Sequence, residues 1–345
     1  MADAGKSPEN TPGNTNGVLE QAVSWLGEGK KVALATVIGT WGSSPRPVGS
    51  QLAVDDAGAF VGSVSGGCIE GSVIGEALEV MADGNNRILD FGVSDEQAWE
   101  VGLACGGNVK VLVEHADDPA ELNRLANERP VATVTDLDTD KRSYVTQNED
   151  SGDLKLSAEM LDNARSALRD DRSKLFTEGD DNLFVQVFNP PLRCAIIGAV
   201  HISQALVPMA QIAGFDVTVI DPRGAWATEA RFPDVKMSDE WPDDALNAFK
   251  PDTRTAVVTL THDPKLDDPA LEVALKSDAF YIGSLGSRRT HAARLERLGE
   301  AGFGDDDFAR IHAPVGLDLG ATSPAEIAVT ILAEMVAAKH GKLDS

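Results

Sequence analysis

Basic residues are scarce in this chain. Its 345 residues include 30 Lys and Arg against 55 Asp and Glu, which gives a formal net charge of −25. Such a surface repels phosphate backbones and anionic lipid, so we expect neither nucleic acid nor a membrane as a partner. Acidic residues are spread along the chain rather than gathered in one tail, with Asp-Asp pairs at 117–118, 180–181, 243–244 and 267–268. This distribution predicts a halophilic surface that stays hydrated in high salt, and an ordinary acidic protein is the alternative.

Long apolar runs and cysteines are scarce as well. No stretch approaches the ~18 consecutive apolar residues of a membrane span, and the opening "MADAGKSPENTPGNTNG" lacks the apolar core of a signal peptide. We therefore expect a cytoplasmic protein. Three cysteines, Cys68, Cys105 and Cys194, are too few for a disulfide framework in a chain of this size. None lies in a metal-binding C-x-x-C spacing, so we expect free thiols.

The length and the pattern of elements predict two domains. Residues 1–17 are rich in Pro, Asn and Gly and are expected to form a flexible tail. Residues 18–190 mix predicted strands and helices without a regular strand–helix alternation, which indicates an α+β domain. The strand "VQVF" then meets Pro190 and Pro191, which cannot continue a ladder, and we place the domain boundary there.

Residues 191–345 alternate strands with helices, which is typical of a Rossmann-like domain with a parallel sheet covered on both faces. The first turn reads "IIGAVHIS", with Gly198, Val200 and Ser203 where a dinucleotide-binding loop has three glycines. Asp221 ends the second strand, where an acid normally holds a ribose hydroxyl. The β-branched Val200 occupies space that a pyrophosphate needs. NAD(P) binding and a scaffold that binds no dinucleotide therefore remain about equally supported.

Two histidines follow strands of this predicted sheet. His201 begins the first helix, and His262 with Asp263 follows the strand "VVTLT", so both belong to the carboxyl edge where open α/β sheets bind ligands. They suit proton transfer, or the binding of a polar group or metal, and a surface or capping role is the alternative. Arg288 and Arg289 in "SLGSRR" follow another strand, as an anion site requires.

Two cysteines of the first domain lie in glycine-rich segments. Cys68 follows Gly67 in "GSVSGGCIEGSV", at the start of a predicted helix whose dipole favours the thiolate. Cys105 precedes Gly106 in "GLACGGNVKV". Two such thiols suggest sulfur chemistry or a soft metal, and the alternative is that both are small buried residues at tight turns.

The stretch "GTWGSSPRPVGSQLAV" contains a rigid loop. Two prolines hold the backbone around Arg46 extended, and Ser43 and Ser44 supply hydroxyls. Such a loop suits a phosphate or another oxyanion, although an ordinary rigid connection has the same features. Cys194, in contrast, falls inside the first strand of the second domain and is expected to be core.

These motifs occur together in one known family. From residue 18 to 341, "GSSPRPVGSQLAV", "GSVSGGCIEGSV", "VTVIDPR", "THD", "YIGSLGSRRT" and "HAPVGLDLGATSPAEIAVTILAE" resemble the XdhC/CoxI family of molybdenum-hydroxylase maturation factors. The resemblance implies an N-terminal XdhC/CoxI domain followed by a Rossmann-like domain. It also implies a chaperone that binds molybdenum cofactor (molybdopterin) as cargo and protects it while its sulfido ligand is installed.

The resemblance further implies partners and site residues. The client is a xanthine dehydrogenase or CO dehydrogenase-like hydroxylase, the sulfur donor is a cysteine desulfurase, and members are often homodimers. Carried onto this chain, Cys68 and Cys105 would lie near the cofactor, with Arg46 and Ser44 as phosphate contacts. The chain departs from the family at Val200, because the family usually has a second glycine there. The competing functions are an NAD(P)-dependent oxidoreductase and a structural adaptor that holds part of a hydroxylase, and we expect an accessory protein rather than an enzyme.

Overall fold

The computed structural model describes residues 16–42, 44–92, 107–177, 182–224 and 228–343. The chain divides into two compact units, residues 1–190 and 191–345, and the division falls between the paired prolines. Most of the tail expected over residues 1–17 lies outside the described residues, and Asn16 and Gly17 already belong to the first helix. None of the helices in the described ranges is long and apolar enough to cross a membrane.

Unit 1 contains a first antiparallel sheet of five strands. Its elements are α1 (Asn16–Gly27), β1 (Val32–Trp41), β2 (Gln51–Asp55), β3 (Phe60–Gly62), α2 (Glu70–Asp83), β4 (Arg87–Phe91) and β5 (Asn108–His115). The strand order is β3-β2-β1-β5-β4. The first eight residues of the central strand β1 are buried, because helices cover both faces of the sheet. Ala33, Ala35 and Val37 share one core with α2.

A second antiparallel sheet completes unit 1. Its elements are α3 (Pro119–Asn127), β6 (Val131–Asp136), β7 (Arg142–Val145), β8 (Asp150–Gly152), α4 (Ala158–Asp170), β9 (Lys174–Phe176) and β10 (Leu183–Phe188), in the strand order β8-β7-β6-β10-β9. Helix α4 covers one face through Met160, Ala164 and Leu168. Helices α1 and α3 pack together with β1 and β10, so the two sheets share a core.

Unit 2 is built on a six-stranded parallel sheet. Its elements are β11 (Leu192–Ile197), α5 (His201–Ile212), β12 (Phe215–Ile220), β13 (Lys236–Ser238), α6 (Pro242–Phe249), β14 (Thr255–Thr259), α7 (Pro264–Leu275), β15 (Tyr281–Ser284), α8 (Arg288–Glu300), α9 (Asp305–Phe308), β16 (Ile311–His312) and α10 (Pro324–Lys339). The order β13-β12-β11-β14-β15-β16 is the doubly wound order of the Rossmann fold. Helices α5 and α10 cover one face, and α6, α7 and α8 cover the other.

The predicted fold class is confirmed: an α+β domain precedes a Rossmann-like parallel sheet. The differences lie at short elements and at element ends. Strands β8, β9 and β13 have three residues each, too few for an alternating pattern to stand out. Helix α7 begins directly after the loop that carries His262, at Pro264, because Asp263 caps it by accepting a hydrogen bond from the Lys265 N–H at 3.0 Å.

The start of α10 gives a test of local stability. The Ser323 hydroxyl accepts from the Glu326 N–H at 3.2 Å, and the Glu326 carboxylate accepts from the Ser323 N–H at 2.8 Å. We expect Ser323→Ala to lower the free energy of unfolding in urea by about 1 kcal/mol, because it removes one half of this capping box. Ser323→Thr keeps a capping hydroxyl and should retain most of the stability. Equal losses in both variants would contradict the role of the cap.

Candidate functional site

Three strand ends meet at one edge of the first sheet. In the pairing of β1 with β2, Thr36 lies opposite Gln51, and in the pairing of β2 with β3, Leu52 lies opposite Gly62. The loop that follows β1 and the loop that follows β3 therefore leave the sheet side by side. The second of these, residues 63–69, contains Cys68 and is called the thiol loop below.

The thiol loop is organised around the carboxylate of Glu70, the first residue of α2. One oxygen, Oε1, accepts hydrogen bonds from the Val64, Ser65 and Gly66 N–H groups at 3.2, 2.9 and 3.0 Å, and the other, Oε2, accepts from the Gly67 N–H at 2.8 Å. The hydroxyls of Ser63 and Ser65 donate to the same carboxylate at 2.7 and 2.6 Å. The backbone N–H groups of the loop therefore surround the carboxylate of the residue that follows it.

The backbone conformation explains the paired glycines. Gly66 and Gly67 have φ angles of 83° and 119°, a region that other residues rarely adopt, and this lets successive N–H groups converge on one point. Burial raises the pKa of the Glu70 carboxyl, but the hydrogen bonds from Ser65 and Ser63 outweigh it and lower the pKa to about 2. The carboxylate is therefore charged at all physiological pH values.

Cys68 lies on the rim of this arrangement. Its N–H donates to the Ser65 hydroxyl at 3.1 Å, and its side chain packs against the core below α2 while staying partly exposed. The thiol is free. The structure therefore presents a free cysteine whose backbone is fixed and whose side chain is only partly buried.

The rigid loop before β2 lies directly beside the thiol loop. Arg46 Nε donates to the Ser63 carbonyl at 3.2 Å, and the Ser44 hydroxyl donates to the Arg46 carbonyl at 2.9 Å. A Cβ placed on Gly66 would lie 3.6 Å from Cβ of Pro45. The structure thus brings together Ser44, Arg46, Gly67 and Cys68, four of the residues that the sequence analysis selected. The two Nη groups of Arg46 have no protein partner within the described ranges, so they can meet an anion.

Cys105 and Gly106, which the sequence analysis also selected, lie outside the described residues. On either side of this segment, β4 ends at Phe91 and β5 begins at Asn108. Asn108 pairs with Trp41 at the end of β1, and Phe91 pairs with Val109. The end of β4 and the start of β5 therefore lie at the same end of the sheet as the thiol loop.

In unit 2, Gly198 retains a role that only glycine fills. Its φ is 107°, and a Cβ there would lie 2.7 Å from Cγ2 of Thr261 in the loop that follows β14. Its N–H donates to the Ile220 carbonyl at 2.8 Å. The glycine therefore allows close approach of two loops of the protein itself.

Asp221 is fully buried and its carboxylate is occupied. One oxygen accepts from the Arg223 N–H and Nε at 3.0 and 2.9 Å, and the other accepts from the Ala199 N–H and from Arg223 Nη2, both at 2.8 Å. Burial alone would raise the pKa of Asp221, but the hydrogen bonds from Arg223 and Ala199 lower it by more. The pKa therefore lies below its usual value, and the group is a carboxylate. It braces the first loop, and Arg223 would have to move before this carboxylate could bind a ribose hydroxyl.

His201 and His262 are exposed and lie on neighbouring loops of the sheet edge. His201 Nδ1 is 3.2 Å from Oε1 of Gln204, and His262 has a φ of 61°. Ile197 and Thr259, which precede these loops, are paired across β11 and β14. Within the described ranges, no three His, Cys, Asp or Glu side chains are grouped so that they could hold a metal ion.

Sequence reasoning did not select Glu70. The signal was present, since Glu70 is an acid in the first turn of a helix, three residues after a Gly-Gly pair, and such an acid has several unpaired backbone N–H groups within reach. Only the folded loop reveals that six donors converge on it.

The Glu70 contacts predict a pH-dependent stability difference. A pKa lowered from 4.5 to about 2 corresponds to about 3 kcal/mol of stability at neutral pH. This stabilisation is present above pH 4.5 and disappears as the pH falls toward 2. We therefore expect Glu70→Gln to be less stable than wild type at pH 7 by roughly this amount, and the difference to shrink on acidification, as measured by urea unfolding between pH 7 and pH 2.

The exposed Glu79 on the same helix supplies the control. Glu79→Gln should change stability little at any pH, because surface substitutions of this kind are nearly neutral. A Glu70→Gln protein as stable as wild type at pH 7 would contradict the role assigned to this carboxylate.

Comparisons with known proteins match both units. The family model described as the XdhC Rossmann domain matches residues 194–335, and the model described as the XdhC and CoxI family matches residues 25–92. The chain is 31% identical over 337 residues to the molybdenum cofactor insertion chaperone PaoD of Escherichia coli K12, covering 95% of this chain and 90% of that protein.

Two further relatives extend the likeness. The chain is 28% identical to a probable xanthine dehydrogenase subunit of Bacillus subtilis 168, covering 90% of this chain and 94% of that protein. A crystal structure of a protein called a xanthine dehydrogenase from Bacillus halodurans is similar with a TM-score of 0.76 at 26% identity, covering 94% of this chain and 96% of the other. Since the matches extend over both units, the chain belongs to the XdhC and CoxI family.

Proposed function

We propose that this protein is a maturation chaperone that binds molybdenum cofactor, supports its sulfuration and helps insert it into a xanthine dehydrogenase-type hydroxylase. The observation that carries the proposal is the thiol loop, in which Cys68 is fixed by the Glu70 network. It lies next to Arg46, whose Nη groups have no partner among the residues that the structure describes. The similarity to a protein named as a molybdenum cofactor insertion chaperone supports it.

The residues divide the work by their chemistry. Arg46 offers a guanidinium for the phosphate of the cargo, and the nearby Ser44 belongs to the same loop. Cys68 offers a soft thiol, which suits both molybdenum and sulfide. In this proposal Glu70 contacts neither the phosphate nor the molybdenum of the cargo. Its role is to hold the loop that positions the thiol of Cys68. Cys105 and Gly106 are proposed as the second thiol segment, because the end of β4 and the start of β5, on either side of them, lie at the same end of the sheet as the thiol loop.

The partners follow from this role. The protein would receive sulfur from a cysteine desulfurase and deliver the cargo to a molybdenum hydroxylase, acting as a homodimer in the cytoplasm. It would be an accessory protein with no catalytic residue of its own. The excess of Asp and Glu, with a net charge of −25, supports protein and small-molecule partners over nucleic acid or anionic lipid.

An NAD(P)-dependent oxidoreductase is the second candidate function, and the Rossmann strand order of unit 2 favours it. Two local features oppose it. Val200 replaces the glycine that lets the backbone approach a pyrophosphate, and the Asp221 carboxylate is already held by Arg223 and Ala199. If unit 2 binds no dinucleotide, its remaining site residues serve the scaffold or another ligand. These residues are Gly198, His201 and His262.

The thiols give the first test of the proposal. We expect a Cys68→Ala, Cys105→Ala double variant, co-expressed with a xanthine dehydrogenase, to yield hydroxylase with at least about 10-fold less activity, because the cofactor that the hydroxylase receives lacks its sulfido ligand. Restoration of activity by chemical sulfuration of the purified hydroxylase would place the defect at this step. Full hydroxylase activity in the presence of the double variant would overturn the role of the thiols.

Cys194 provides the matched control. It is fully buried in β11, where burial raises the pKa of its thiol to about 12, so it is inert. Cys194→Ala should leave hydroxylase activation at the wild-type level.

The nicotinamide alternative has its own test. Titration of the protein with NADH and NADPH, followed by nicotinamide fluorescence, should give no saturable signal, because the loop at Val200 and the occupied Asp221 remove two of the usual contacts. Binding at micromolar concentration would instead favour the oxidoreductase.

A further inference from the structure

The outward side of helix α10 is apolar. Its inward side chains, which include Ala328, Ile331 and Met335, belong to the core on one face of the parallel sheet. Val329 and Val336 are 48% and 41% exposed, so they lie on the opposite side of the helix. These two valines are two helical turns apart and therefore belong to one stripe. A helix that is apolar on both sides is normally covered on both sides.

Helix α5 widens this apolar surface. It packs beside α10 and contributes Leu206, Val207 and Ala210 to the same core. Pro208 is exposed, and Ile212, the last residue of the helix, is 67% exposed. We call the outward sides of the two helices the α5/α10 face. Apolar side chains that cluster on a protein surface mark a site of interaction.

The α5/α10 face is also uncharged. Asp, Glu, Lys and Arg make up 25% of the chain, yet none of them occurs in α5, whose residues the structure describes throughout. In α10 they occur as Glu326 in the first turn, Lys339 in the last turn and Glu334 between them. Glu334 is buried, and its carboxylate accepts a hydrogen bond from the Tyr281 hydroxyl at 2.5 Å. Over the described length of α10, the outward side therefore carries no charge between the first and last turns.

The net charge of the chain indicates what covers this face. Two copies of a protein with a net charge of −25 repel each other, and contact through a charged surface would add close pairs of carboxylates. The α5/α10 face lets two copies meet without such pairs. A second copy presents the same uncharged and apolar face, so a two-fold contact is complementary to itself.

A two-fold contact also matches the order of residues along α10. When two copies of a helix pack antiparallel about a two-fold axis, residues at equal distances from the axis lie at the same level. With the axis between Leu332 and Ala333, Val329 of one copy lies level with Val336 of the other. Each exposed valine is then covered, and the contact contains two such valine pairs.

The same register brings opposite charges together at the rim. Glu326 of one copy lies level with Lys339 of the other, because the two residues are equally far from the axis. The hydrogen bonds that Glu326 accepts from the backbone of Ser323 and Thr322 lower its pKa to about 2, so it is charged at neutral pH. This charge pattern favours the antiparallel contact over a parallel one, which would place Glu326 level with a second Glu326.

We infer that the α5/α10 face is the interface of a homodimer in which α10 packs antiparallel on α10 of a second copy. The proposed function calls for a homodimer without placing its interface, and the inference rests on that proposal for the number of copies alone. The residues of the face carry the rest.

Sedimentation velocity of the full-length protein tests the contact. We expect a monomer–dimer equilibrium whose dissociation constant falls at least about 3-fold when NaCl is raised from about 0.1 M to about 1 M. The reason is that salt screens the repulsion between two acidic copies and leaves the apolar contact intact. A contact held mainly by ion pairs would weaken in salt, and that result would overturn the inference.

Two substitutions test the register. Val329→Glu places carboxylates at two symmetry-related positions of the contact, so it should weaken dimerisation at least about 100-fold. The charge-paired double variant, Val329→Glu with Val336→Lys, places a carboxylate level with an ammonium group at both positions. It should recover at least about 10-fold of this loss. The double variant Val329→Glu, Val336→Glu should stay monomeric.

Trp241→Glu is the matched control. Trp241 is 53% exposed and immediately precedes α6, which covers the other face of the same sheet, so its substitution should leave the dissociation constant unchanged. Because Val329 and Val336 are exposed, their variants should remain folded, as checked by circular dichroism. If Val329→Glu fails to fold, Val336→Lys and the charge-paired variant still decide.

A monomer at all concentrations, unchanged dimerisation of Val329→Glu, or no recovery in the charge-paired variant would overturn the inference. A monomeric wild type in which Val329→Glu abolishes hydroxylase activation would assign the face to a client protein instead. The two proposals fail separately. Thiol-dependent activation by a monomer would remove only the interface, and a dimer whose thiols are dispensable would remove only the proposed function.

Discussion

The interaction on which the candidate site depends is the enclosure of the Glu70 carboxylate by the loop that precedes it. Four backbone N–H groups and two hydroxyls converge on one buried anion, and the positive φ angles of Gly66 and Gly67 make this convergence possible. A glycine-rich segment loses much conformational entropy when it becomes ordered, so it needs such a set of bonds to stay in one conformation. The position of Cys68 follows from this network, and so does the contact of Arg46 with Ser63.

The second unit has the fold of a nucleotide-binding domain, but groups of the protein itself already contact the residues that would normally contact a nucleotide. Gly198 is required because the Thr261 side chain lies close to it, and Asp221 holds Arg223 and the Ala199 N–H. This parallel sheet is stabilised by apolar packing on both of its faces. That packing does not depend on a ligand at the loop edge. The unit therefore serves as a stable scaffold whether or not it binds a dinucleotide.

Much of the fold could be predicted from the sequence, because its long elements carry strong local signals. The strand–helix alternation that the sequence predicts after Pro191 is confirmed. Strands β8, β9 and β13 could not be predicted, because three residues cannot show a period. For the site, glycine pairs and prolines indicated the right loops. The role of Glu70 depends on which atoms meet in space, and a linear pattern does not contain that information.

If this chain carries molybdenum cofactor, the cofactor should be detectable by mass spectrometry of the small molecules released from protein that is purified from a molybdenum-replete host. We expect a molybdopterin species to co-purify with the wild-type chain. Folded protein from cells able to make the cofactor that carries no pterin would rule out the cargo and favour an adaptor that holds a hydroxylase without touching its cofactor.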